Sequence, residues 1–75
     1  MNDIIRWEEF FNAYKECLGV DGAEELLKNA ATKAGLKQKT LYSKEEALII
    51  CDTLRLHGGF VKIIAEILKA RFILR

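Results

Sequence analysis

The sequence predicts an all-α fold: a compact four-helix bundle-like domain, with helices over about residues 4–18, 23–34, 43–57 and 59–74. Three observations predict it. Apolar residues recur at steps of three and four through most of the chain, which is the period of one helix face. No run of residues alternates apolar with polar as a half-buried strand would. Proline is absent, and four of the five glycines fall between the periodic segments while the fifth, Gly59, opens the last one.

The first helix carries Trp7, Phe10, Phe11, Tyr14, Cys17 and Leu18 on one face, and Asn2 or Asp3 is placed to cap its start. An aromatic stripe of this kind is expected to anchor the core. The stretch GVDG, residues 19–22, punctuates the chain before the second helix. That helix presents Ala23, Leu26, Leu27, Ala30 and Ala34, and the small residues among them let a neighbour approach closely. Gly35 is expected to stop it as a left-handed cap, with Leu36 supplying the hydrophobic contact that accompanies such caps. The third helix opens on a capping box: Ser43 accepts from the backbone and Glu46 reaches back. Its core face is Ala47, Ile50, Cys51 and Leu54. In the fourth helix the polar stripe is Lys62, Glu66 and Lys69, and the core side is assigned to Phe60, Ile64, Ile67 and Leu68. Between these helices LRLHGGF, residues 54–60, reads as a corner, with Gly58 as the left-handed cap and Gly59 allowing a sharp turn.

Seventy-five residues make a single domain, residues 1–75, and a chain this short buries only about 60% of the surface its unfolded form exposes. The apolar share of 51% is therefore high. Charge is uneven. Residues 1–25 hold seven acids and two bases (−5), while residues 26–75 hold ten bases and four acids (+6). Cys17 and Cys51 both read as small buried hydrophobes in a reducing compartment. The N-terminal run MNDIIRWEEFF lacks the basic-then-apolar design of an export signal, so a cytoplasmic location is expected. The charges Lys62, Glu66, Lys69, Arg71 and Arg75 argue against a membrane span in the last segment.

No active site is expected. There is one histidine, and the carboxylate pairs Glu8–Glu9, Glu24–Glu25 and Glu45–Glu46 are adjacent in sequence, so on a helix their side chains diverge by about 100°. Cys51 and His57 point to different sides of their helix, and no Cys-x-x-Cys occurs. No cofactor or metal is expected. One anion site is a candidate: Arg55, His57, Gly58, Gly59 and Lys62, at a helix start with no polar cap.

Residues 30–48, AATKAGLKQKTLYSKEEAL, resemble the helix-turn-helix of TetR-type regulators. Ala31 matches the buried small residue, Gly35 the turn, and Leu36 and Leu41 the apolar supports. The resemblance implies a short basic helix ending Thr-Leu-Tyr, with Lys37, Gln38, Lys39, Thr40, Tyr42 and Lys44 facing nucleic acid. Five lysines and no acid between Leu26 and Lys44 suit that role.

Misplaced apolar residues point instead to an interaction surface. Ile49 and Leu56 lie on the outer face of the third helix, and Ile73 interrupts the polar stripe of the fourth. With Arg71 and Leu74 they make up a candidate surface on helices three and four. The leading expectation is a small non-enzymatic protein–protein interaction or regulatory module that forms a homodimer. The alternative is a nucleic-acid-binding protein using segment 33–44.

Overall fold

The computed structural model describes residues 4–75. It corrects the predicted fold class. The described chain holds three helices and a short two-stranded sheet, not four helices. β1 (Ile4–Arg6) runs straight into α1 (Trp7–Lys33), β2 (Leu41–Ser43) runs straight into α2 (Lys44–Arg55), and α3 (Gly59–Ile73) follows a tight corner.

The strands pair antiparallel, with Ile4 opposite Ser43, Ile5 opposite Tyr42 and Arg6 opposite Leu41. Ile5 and Tyr42 point into the core and their neighbours point out, the two-residue alternation of a strand. The Trp7 N–H extends the ladder by donating to the Thr40 carbonyl at 2.9 Å. Each strand enters its helix without a break, so pairing the strands sets the start of α1 beside the start of α2. The expected helix start near residue 4 therefore moves to Trp7. The proposed cap at Asn2 or Asp3 lies outside the described residues. In its place Glu9 Oε2 reaches back to accept from the Arg6 N–H at 3.1 Å.

The first two predicted helices are the two arms of α1. Only Gly19 leaves helical geometry (φ 78°, ψ 173°), and Val20–Gly22 are helical rather than a loop. A straight helix of 27 residues would be about 40 Å long. The longest extent of the molecule is 32 Å, so the bend at Gly19 is what lets α1 fit. That backbone region is essentially reserved for glycine. Inside the bend Phe10, Tyr14, Ala23, Leu27 and Ala30 face the core. Trp7 and Phe11 are half-buried and stack on each other, with ring centroids 4.8 Å apart. Cys17, expected inside, is exposed: it lies two residues before the break at Gly19 and outside the core cluster that Phe10 and Tyr14 join.

α1 ends as expected. Gly35 takes φ 76°, its N–H donates to the Thr32 carbonyl at 3.0 Å, and the Leu36 N–H donates to the Ala31 carbonyl at 2.9 Å. This pair of bonds is the Schellman arrangement, and Leu36 packs against the core. The Ser43–Glu46 capping box is also present, with bonds of 3.1 Å and 2.9 Å. Gly58 (φ 72°, ψ −174°) turns the chain between α2 and α3 in a region that other residues rarely enter.

α2 and α3 form a closely packed hairpin. Ala47, Ile50, Cys51 and Leu54 of α2 meet Ala65, Leu68 and Phe72 of α3, and Phe72 packs edge-on against Phe10 of α1 at 5.3 Å. The buried Tyr14 hydroxyl donates to the Val61 carbonyl at 2.8 Å, tying α1 to the first turns of α3. Burial holds the Tyr14 phenol well above its ordinary pKa, and the neighbouring Cys51 adds to that rise. Burial likewise pushes the Cys51 thiol up to about 12, with the Asp52 charge adding to it. The two thiols should therefore separate cleanly. A thiol-specific reagent at neutral pH is expected to label Cys17 fast and Cys51 only after denaturant is added, because the thiolate is the reactive form. Two fast thiols in the native protein would contradict the packing around Cys51.

Candidate interaction surface

The core side of α3 differs from the one the sequence suggested. Ala65, Leu68 and Phe72 point inward, with Val61 and Ile64 packed beside them. Phe60 and Ile67, assigned to the core from the sequence, point out. They belong to a stripe on the opposite side: Phe60, Ile63, Ile67, Ala70 and Leu74, all exposed. The four large members are 48%, 57%, 55% and 86% exposed in chain order. Their steps are three, four, three and four, the spacing that brings a straight seam along a helix. The core residues are fixed by the hairpin, so this seam faces solvent squarely.

Charges flank the stripe on both sides. Toward α2 lies a row of ion pairs. Asp52 accepts from Lys69 at 2.7 Å and lies 3.4 Å from Arg55, and Arg55 in turn lies 3.6 Å from Glu66. The Lys69 hydrogen bond, against a smaller effect of burial, holds the Asp52 carboxyl below its usual range. On the other flank Arg71 is exposed and forms no ion pair or hydrogen bond among the described residues. Below it Arg75 donates to Glu9 at 2.7 Å, which latches the end of the chain to the start of α1. Burial pulls the Glu9 carboxyl up. The Arg75 and Arg6 bonds and the charges of Arg75 and Arg71 outweigh that and leave it below its usual value.

The residues singled out from the sequence fall into three groups. Ile49, Leu56, Arg71, Ile73 and Leu74 are all exposed, Leu56 by 81%. Ile49 lies on the outer face of α2 with Leu56 just past its end, and Ile73 ends α3 with Leu74 just past it.

The helix-turn-helix resemblance implied a short helix ending at Tyr42. The chain there is irregular from Leu36 to Thr40 and then forms β2. Tyr42 is buried, and its hydroxyl accepts from the Lys39 N–H at 3.0 Å and donates to the Lys37 carbonyl at 3.3 Å. Lys39 pairs with Glu46 at 3.0 Å, and Lys44 donates to the Ile73 carbonyl at 3.2 Å. Lys37, Gln38 and Thr40 remain exposed on the loop.

Of the anion-site residues, Arg55 is turned to Asp52 and Glu66, while Gly58 and Gly59 form the corner and His57 and Lys62 are exposed. Among the described residues no three His, Cys, Asp or Glu side chains converge to hold a metal ion. No described helix is long and apolar enough to cross a membrane.

Sequence reasoning missed Phe60, Ile63, Ile67 and Ala70. The sequence holds no signal that singles them out, because an alanine lies on each side of α3: Ala65, buried against α2, and Ala70, exposed on the outer stripe. Comparisons with protein-family models, with curated proteins and with solved structures found no match to this chain.

Proposed function

We propose that this chain is a non-enzymatic helical interaction module that self-associates through the outer stripe of α3. One observation carries the reading: five successive seam positions, Phe60, Ile63, Ile67, Ala70 and Leu74, are apolar and exposed on a helix whose other side is firmly packed. A stripe of this length and spacing fits another helix. A second copy supplies an identical one, and a two-fold axis sets each patch against its own image. α3 is already ordered by Ala65, Leu68 and Phe72, so pairing does not have to nucleate a helix.

The size of the effect indicates a reversible pair. Burying the exposed half of one large aliphatic or aromatic side chain is worth roughly 1 kcal/mol. Four such side chains from each copy give roughly 8 kcal/mol gross, of the same order as the about 4–15 kcal/mol cost of association.

Static light scattering from about 10 μM to about 1 mM, without column dilution, tests the proposal over the range where so weak a pair forms. The expected result is a weight-average mass that rises from 8.6 kDa toward twice that value. A constant monomer mass across the range would rule the proposal out.

A further inference from the structure

Resting on that self-association reading, we infer that two copies pair through α3 in parallel and in register, with Glu66 of each copy facing the partner's Arg71. The charges flanking the seam carry the inference. Phe60, Ile67 and Leu74 repeat every seven residues, and Ile63 and Ala70 repeat every seven between them, so these five fill the two seam positions of a heptad. Glu66 immediately precedes one seam residue, Ile67, and Arg71 immediately follows another, Ala70. In a parallel pair the residue on the first flank lies across from the partner's residue five positions later on the second flank. Glu66 and Arg71 are five apart and opposite in charge, so the contact forms twice by symmetry.

Antiparallel pairing sets like flank against like flank. Glu66 then meets the partner's Glu66 or the partner's Ile73, and Arg71 meets the partner's Arg71 or the partner's Ile64. No opposite charges come together. Both members of the parallel contact are available. Arg71 is exposed and has no ion pair among the described residues, and Glu66 is held by Arg55 only at 3.6 Å. Ala70, the small residue between them, lets the two helices approach closely there.

A charge-exchange cycle tests the inference, with circular dichroism confirming that each variant is folded. Glu66→Arg alone and Arg71→Glu alone are each expected to weaken self-association about threefold to tenfold. The double exchange is expected to return it to within about twofold of the wild type. A covalent readout accompanies it. In a Cys17→Ser background, the Ala70→Cys thiols are expected to form a disulfide-linked dimer under mild oxidation, because parallel pairing brings the two copies of this position together. If the chain self-associates but the double exchange brings no recovery, and Ala70→Cys links to Phe60→Cys or to Ile67→Cys rather than to itself, the pair is antiparallel. That result overturns this inference and leaves self-association standing. A wild-type chain that stays monomeric overturns both.

Discussion

Phe72→Ala is expected to remove about 3–5 kcal/mol of stability. That is a large share of the total for 75 residues, which at typical values is about 4–11 kcal/mol. Phe72 sits one turn from the end of the chain, in the run RFILR where the sequence pattern breaks. The structure buries it completely, edge-on against Phe10 of α1. The last turn is thus part of the core. Three further contacts hold it: Leu68 one turn earlier, the Arg75–Glu9 latch, and the Lys44 bond to the Ile73 carbonyl. Truncating the ring leaves a cavity that few neighbours can collapse into, because α1 is held in place by the strand pair and by the Tyr14 bond to Val61. Urea unfolding followed at 222 nm checks this, with Leu74→Ala as the comparison. Leu74 is 86% exposed, so its truncation should shift stability by less than about 0.5 kcal/mol. Phe72→Ala should lower the urea midpoint by at least about 1.5 M at ordinary slopes for a small domain. Equal midpoints for the two variants would mean that the last turn of α3 is frayed.

The same helix shows which features the sequence discloses and which it hides. Caps were legible. Ser43 with Glu46, and Gly35 with Leu36, are local devices whose chemistry acts within a few residues, and both appear with the expected bonds. The inner face of α2 was legible too, because polar residues cover most of its other side. Three features were not. A three-residue strand shows a single inward residue, so Ile5 and Tyr42 left no alternation to detect, and their pairing spans most of the first half of the chain. A one-residue break at Gly19 looks in sequence like a loop between helices. α3 is apolar on two sides, so its period fits two faces equally well. Side-chain volume does not separate them in sequence either, because each side carries an alanine, Ala65 on the packed side and Ala70 on the exposed one; only the packing of α3 on α2 decides. The candidate surface followed the same logic. Ile49, Leu56, Ile73 and Leu74 stood out because they break polar stripes. Phe60 and Ile67 were hidden because they sit in a stripe that looks like core.

The larger expected effect on association comes from Ile67→Glu. Ile67 is the middle residue of the outer stripe and is 55% exposed. In the monomer the change is mild, since the side chain already reaches water and glutamate is the better helix former of the two. In the pair it is severe. A two-fold axis along the stripe sets the two introduced carboxylates near each other, in a site that pairing would strip of water and that has no cation within the seam. Burying an unpaired charge costs several kcal/mol, and here two like charges are buried together. Self-association is therefore expected to weaken more than about a hundredfold, with thermal stability changed by no more than a few degrees. Light scattering and circular dichroism on the same samples read both quantities. Lys62→Glu is the matched control, since it makes a larger change of charge on α3 but lies on the flank toward α2. It should leave association within about threefold of the wild type. A variant at Ile67 that still associates as the wild type does would exclude the α3 stripe as the contact. The exposed apolar residues of α2, Ile49 and Leu56, would then be the remaining surface for Leu56→Glu to test.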